Sequence, residues 1–300
     1  MRVNSNLVPD ILADIDQSQT ALNTALQQVA TGKSVSQPSD NPVASAEMVE
    51  NSIQTADVDQ YTQNVSSLLS TVQTAGSTLS SVAAQLTQAV SLGTEGANGT
   101  NSASDLQSLA TEVQSILSNV VSLANTSVAG NYLFGGTVTN QPPYTADSSS
   151  STGYAYNGNS DSNSVAVGEN LNVQTNLPGS QIFSGSTNSV LGALSGLLSA
   201  LQSGNSSSIA SATTSVTSAI SSLSQAQGFY SNAEAQLNDQ QTALQQDTVT
   251  LTSQASNLVD VNEATAATNL SQAETDNSAA LAAAAKVLPT TLLNFLEPPS

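Results

Sequence analysis

The chain has 300 residues with no Cys, His or Trp, and 3 Lys and Arg stand against 22 Asp and Glu, a formal net charge of −19. Disulfides, thiolate and imidazole chemistry and the usual zinc ligand sets are therefore excluded. The charge argues against nucleic acid and anionic membranes as partners, and no run reaches the roughly 18 apolar residues of a membrane span.

The opening segment from Met1 to Leu7 lacks the apolar run of a secretory signal. This predicts either a cytoplasmic protein or one exported without signal cleavage. A first helix is predicted over about Val8 to Val29, with a seam at Val8, Ile11, Ile15, Ser18, Leu22, Ala25 and Val29 and a stop at Thr31-Gly32. The segment from Gly32 to Pro42 reads as a turn-rich linker, and Asp40 or Asn41 can cap a helix with Pro42 in its first turn. The second helix has its seam at Val58, Tyr61, Val65, Leu68, Val72, Ala75, Leu79, Val82, Leu86 and Ala89, with Gly93, Gly96 and Gly99 expected to break it. Ser104 and Gln107 match a capping box. A third helix then carries Leu106, Leu109, Val113, Ile116, Val120 and Leu123. The short break makes these two helices antiparallel neighbours.

Beyond Leu123 the pattern changes. Tyr132, Phe134, Tyr144, Tyr154, Tyr156 and Phe183 stand among dense Gly, Asn, Ser and Asp, with alternating apolar positions at Val165, Val167, Leu171 and Val173. Short strands joined by turns are expected. A shorter helix is predicted near Val190 to Leu201. Then Ile209, Val216, Leu223, Tyr230, Leu237, Leu244, Leu251 and Leu258 recur at intervals of seven. Such a stripe lies along one side of a helix and requires partner helices to cover it. The second row, Ala212, Ala219, Ala226, Ala233, Gln240, Asp247, Gln254 and Val261, is small or polar. The last helix, from Glu263 to Leu288, is rich in Ala, and an apolar cluster of Leu292, Leu293, Phe295 and Leu296 follows it; such a cluster asks for a partner.

The fold class that follows is mainly α: a long antiparallel helical bundle or coiled coil with a small β-rich inserted domain and terminal assembly helices. The expected divisions are an N-terminal assembly helix and linker over 1–42, helical rod over 43–136 and 186–262, a β-rich outer insert over 137–185, and a C-terminal assembly helix over 263–300. The simplest arrangement is a hairpin with the insert at one tip. The internal seams belong to bundle packing. Ile11, Ile15, Leu22, Leu292, Leu293, Phe295 and Leu296 are the expected assembly contacts, because they lie on weak seams with no large core nearby.

Several stretches together resemble one family: MRVNSNLVPDILADIDQ, GKSVSQPSDNPVASAEMV, SLGTEGANGTNSASDLQSLATEVQ, ANTSVAGNYLFGGTVTNQPPY and the closing TTLLNFL. They are similar to the flagellar hook-associated protein 3 family, within the flagellin superfamily. The resemblance covers about 1–145 and 205–296. It implies a structural component of the bacterial flagellum at the hook–filament junction, self-assembling into a ring. The implied partners are a neighbouring hook-associated protein, flagellin and an export chaperone. It also implies an extracellular location reached without a cleaved signal peptide, and neither catalysis nor a cofactor. Lys33 stands where the family commonly has Arg, and Asp40-Asn41-Pro42 where it has Asp-Asp-Pro. The alternatives are a short flagellin, a secreted coiled-coil effector or adhesin, and an enzyme with carboxylate chemistry in the insert. The acidic pairs Asp14/Asp16, Asp57/Asp59 and Glu274/Asp276 point to different helix sides and read as solvated faces. Asn157, Asn159, Asp161 and Asn163 alternate as in a calcium loop but lack its glycine and closing glutamate, so turn chemistry and no metal is expected.

Overall fold

The computed structural model describes residues 7–184 and 189–296, with side chains placed for 9–184 and 189–286. The described chain is mainly α with three small antiparallel strand pairs. It divides into one unit of Met1–Ala56 with Asp247–Ser300 and a second of Asp57–Gln246. In chain order the helices are α1 (Leu7–Thr31), α2 (Pro42–Gly96), α3 (Ala103–Ala124), α4 (Gly179–Ile182), α5 (Val190–Ser203), α6 (Ser206–Val259) and α7 (Glu263–Leu296). The strands are β1 (Ser127–Val128), β2 (Asn131–Tyr132), β3 (Tyr144–Ala146), β4 (Tyr154–Tyr156), β5 (Ser164–Gly168) and β6 (Leu171–Gln174).

The 57–246 unit holds the large core. The seven-spaced stripe of α6 is its spine: Ile209, Val216, Leu223, Tyr230, Leu237 and Leu244 are all buried. The α2 seam from Val65 to Ala89 meets it, and α3 and α5 supply Leu109, Val113, Ile116, Leu191, Leu194 and Leu197. The helix sequences are crowded with Ser and Thr, which are middling helix formers because their hydroxyls compete for backbone groups. Here many hydroxyls bond the carbonyl one turn back, as Thr62 does to Val58 at 2.8 Å and Thr213 to Ile209 at 2.8 Å. Packing, not propensity, therefore holds these helices.

Gly93 and Gly96, expected to break α2, lie inside it. They are close-approach positions: a Cβ at Gly93 would strike the Thr213 side chain, and one at Gly96 would strike Leu201. A glycine costs a helix roughly 1 kcal/mol, which the closer packing of α2 on α5 and α6 offsets. The cap of α3 also differs from expectation. Ser102, two residues before Ser104, is the N-cap, and its partner is Asp105. Ser102 Oγ accepts from Asp105 N at 3.2 Å, while an Asp105 carboxylate oxygen accepts from Ser102 N at 3.0 Å. The Ser102 hydroxyl, which donates to an Asp105 carboxylate oxygen at 2.7 Å, and next the Ser102 N–H hold the Asp105 carboxyl below its ordinary range. Ser102→Ala is expected to cost about 1 kcal/mol, read as a fall of about 2–4 °C in melting temperature for a unit of this size.

Strand structure begins at Ser127, ahead of the expected position. The three hairpins β1–β2, β3–β4 and β5–β6 do not form one sheet. They are fastened to the helices of their own unit. Asn64 donates to Ala166 O at 2.9 Å, Gln240 donates to Val167 O at 2.9 Å, and Leu177 N donates to the Tyr230 hydroxyl at 3.1 Å. Phe134, Tyr144 and Phe183 stack edge to face in the same core, with Phe134–Phe183 centroids 5.2 Å apart. The insert is thus seated along α2 and α6. The end of α2 packs separately, where Gly96 faces Leu201, Leu109 and Ile209.

Candidate assembly surface

The unit of Met1–Ala56 and Asp247–Ser300 is built from helix pairs with thin seams. α1 ends at a helix break at Gly32 and α7 starts from one at Asn262, and Val261 N donates to Gly32 O across them, so the pair is antiparallel. Ile11, Ile15, Ser18 and Leu22 are half-buried and Ala25 is buried on α1. On α7, Ala266, Ala273, Asn277 and Ala284 are buried and Leu270 is half-buried. Large residues on one helix meet small ones on the other. The first part of α2 pairs likewise with the last part of α6. Asn51, 7% exposed, donates to Leu251 O at 3.0 Å and to Gln254 Oε1 at 3.5 Å.

These narrow seams leave apolar side chains uncovered. Leu12, Leu26 and Val29 on α1, Val43, Val49 and Ile53 on α2, Val249 on α6 and Leu281 on α7 are all exposed. Among the described residues, every large exposed apolar side chain falls in this unit, and none in the 57–246 unit. Val49 and Ile53 are four residues apart and lie opposite the α2 seam of Ala44 and Asn51, so they form an outward apolar strip.

Of the expected contacts, Ile11, Ile15 and Leu22 come together in the α1 seam that faces α7 of the same chain. The side chains of Leu292, Leu293, Phe295 and Leu296 lie outside the described residues, although the backbone of α7 continues through Pro289 to Leu296. Sequence reasoning missed Val49, Ile53 and Val249. For Val49 and Ile53 the signal was an apolar spacing of four outside the main seam; Val249 has no such apolar neighbour.

Chemistry elsewhere is sparse. A groove of about 850 Å³ between α1 and α7 is lined by Asp14, Gln17, Thr24, Gln28, Gln272 and Asp276 among others. Among the described residues, no three acidic side chains gather to hold a metal ion. The alternating Asn residues are consumed in turns. Asn159 Oδ1 accepts from Thr137 N at 2.8 Å and its Nδ2 donates to Asp161 at 2.8 Å, while Asn163 donates to Gly136 O at 3.3 Å. No helix among the described residues is long and apolar enough to cross a membrane.

Residues 3–139 match the bacterial flagellin N-terminal helical region. Flagellar hook-associated protein 3 of Salmonella typhimurium is 30% identical over 198 residues, 64% of this chain and 59% of that one. The protein of the same name from Escherichia coli is 35% identical over 127 residues, 40% of this chain and 38% of that one. The chain is similar to flagellar hook-associated protein 3. The matched stretches span less than two thirds of either hook-associated relative. Among solved structures, a protein assigned as flagellar hook-associated from Vibrio parahaemolyticus superposes with a TM-score of 0.67 at 21% identity, covering 74% of this chain and 100% of that one. FlgL of Bacillus cereus gives 0.59 at 20% identity, covering 69% and 99%. The junction protein FlgL of Legionella pneumophila gives 0.58 at 16%, covering 71% and 100%. At these identities the structural matches establish the shared fold, mainly α with a small β insert.

Proposed function

We propose that this chain is a structural component of the bacterial flagellum that joins hook to filament, and that it assembles through the unit of Met1–Ala56 and Asp247–Ser300. The observation that carries the reading is the segregation of exposed apolar side chains into that unit, in a chain similar to hook-associated protein 3. Contiguous exposed apolar surface marks a contact site. A polar-surfaced second unit suits a body that faces solvent. Copies of the chain would form a ring, with a neighbouring hook-associated protein on one side and flagellin on the other. An export chaperone would cover the apolar terminal helices before assembly. The location is extracellular, reached without a cleaved signal peptide. The role in this reading is mechanical, and the carboxylates of Asp14, Asp16, Asp57, Asp59, Glu274 and Asp276 are all exposed, Asp14 and Asp276 along the α1–α7 groove.

The test is electron microscopy of flagella from a strain lacking the gene. Hooks without filaments, with flagellin shed into the medium, are expected, and the intact gene should restore filaments. Normal filaments in the deletion strain would end the junction reading. Loss of the filament protein itself would favour a short flagellin.

A further inference from the structure

The chain contains two Asn-Gly pairs, Asn98-Gly99 and Asn157-Gly158. An Asn before a Gly is chemically poised: the next main-chain nitrogen can reach its side-chain carbonyl carbon, and glycine has no Cβ to shield that nitrogen. The fold treats the two pairs in opposite ways. Asn157, just after β4, is engaged through both main chain and side chain. Its N donates to Pro143 O at 2.8 Å, its O accepts from Gln141 Nε2 at 3.1 Å, and its Nδ2 donates to Thr145 Oγ1 at 2.9 Å. Gly158 is packed so closely that a Cβ there would strike the Tyr156 hydroxyl and Gly135 O. That hydroxyl is itself fixed, 2.9 Å from both Phe134 O and Asn159 O.

Asn98 and Gly99 stand in the turn between α2 and α3, and both are exposed. Open space surrounds Gly99. The turn is held at its ends: Asn98 N donates to Glu95 O at 3.2 Å, Asn101 N to Asn98 O at 3.2 Å, and Asn101 Nδ2 to Glu95 O at 2.6 Å. Among the described residues, neither the Asn98 carboxamide nor the Gly99 N–H has a hydrogen-bond partner. We propose that this turn is a self-modifying site, at which the Gly99 nitrogen converts Asn98 to isoaspartate and aspartate. Hydroxide removes the Gly99 amide proton. The nitrogen bonds to Asn98 Cγ, the carboxamide C–N bond breaks, and ammonia leaves with a proton from water. A five-membered cyclic imide remains. Water then adds to one of its two carbonyl carbons and opens the ring. Opening at the main-chain carbonyl leaves isoaspartate, with the chain routed through Cγ; opening at the side-chain carbonyl leaves aspartate. Either product puts a carboxylate just beyond the C-terminal end of α2, three residues from Glu95, where the helix dipole disfavours negative charge. Isoaspartate also adds a methylene to the main chain between Gly96, seated on Leu201, and the Ser102 cap of α3. Each chain thus carries a record of its age at this turn, whatever it assembles with.

The purified full chain, aged in mildly alkaline water enriched in heavy oxygen, tests this. It is then digested in ordinary water at mildly acidic pH and mapped by mass spectrometry, so that only conversion before digestion carries label. Labelled isoaspartate and aspartate are expected at Asn98, with Asn157 at least about tenfold slower because it must await local opening of β3 and β4. In guanidinium the two sites should convert at similar rates. Gly99→Ala, for which the turn has room, should slow Asn98 by about tenfold or more, because its Cβ shields the attacking nitrogen. Ageing should lower the melting temperature of the parent by about 1–4 °C and leave that of Gly99→Ala unchanged. Equal conversion at both sites in the folded chain, an unlabelled Asn98, or a Gly99→Ala chain converting as fast as its parent would overturn the proposal. So would an Asn157 that stays slow in guanidinium, since sequence and not fold would then set the contrast. A melting temperature unmoved by full conversion would overturn the effect on α3.

Discussion

Tyr230→Ala should lower the melting temperature of the chain by about 6–20 °C, from a cost of roughly 3–5 kcal/mol for emptying a large packed site and about 2–4 °C per kcal/mol in a unit of this size. Tyr230 is 2% exposed and sits midway along the α6 stripe. Its ring meets Phe229 edge to face at 5.2 Å, and its hydroxyl accepts from Leu177 N at 3.1 Å. It therefore fills the core and fastens the insert to it. Tyr230→Phe keeps the ring but leaves the Leu177 N–H unpaired, a penalty of about 1–3 kcal/mol. The pair separates packing from hydrogen bonding. A Tyr230→Ala variant melting within a degree or two of the parent would show that the stripe is not the core.

The same hydroxyl sets an alkaline limit. Burial pushes Tyr230 up from 10.0 to about 12, partly opposed by the Leu177 bond. Burial also raises Tyr144 strongly, opposed by its bond to Ser184. In both, the folded state favours the neutral form. The stabilisation is complete below pH 10 and is lost as pH rises through the folded value. For Tyr230 the shift corresponds to about 3 kcal/mol by linkage. Melting temperature should be flat to about pH 10 and fall steeply towards pH 12, with part of the fall missing in Tyr230→Phe.

The opposite signature is expected for the assembly surface. Val49→Ser combined with Ile53→Ser should leave the melting temperature within about a degree or two, since exposed substitutions usually change stability by no more than about 0.5 kcal/mol each. In the assembled structure each apolar side chain buried against a neighbour contributes about 1.5–3 kcal/mol. Losing both at every subunit contact should abolish filament attachment while the protein is still exported. Swimming cells carrying the double variant, or a purified variant that melts well below the parent, would refute the assignment of this strip.

The helices that fill the 57–246 unit were legible because their periodicity is local. The stripe from Ile209 to Leu244 and the seam from Val65 to Ala89 both lie where the spacing put them. The alternation at Val165, Val167, Leu171 and Val173 marked β5 and β6. Gly93 and Gly96 were misread because their role is set by Thr213 and Leu201, more than a hundred residues away. The pairing of α1 with α7 within the chain was not legible for a related reason. Ala266, Ala273 and Ala284 make a weak seam alone, and only opposite Ile11, Ile15 and Leu22 do small and large residues become complementary. Such matching across the length of the chain leaves no trace in local periodicity. The placement of the insert beside α2 and α6 depended on Asn64 and Gln240, whose polar side chains carry no packing signal.

The aromatic stacking around Tyr144 and Tyr230 has an optical consequence. All six tyrosines and three of the four phenylalanines lie between residues 57 and 246, and the chain has no Trp. Near-ultraviolet circular dichroism and tyrosine emission will thus report almost wholly on that unit, while peptide-bond absorption reports on both. Only the 57–246 unit carries tyrosine chromophores, so a loss of peptide-bond ellipticity that leaves the near-ultraviolet signal intact reports melting of the other unit, without a label or a truncated chain.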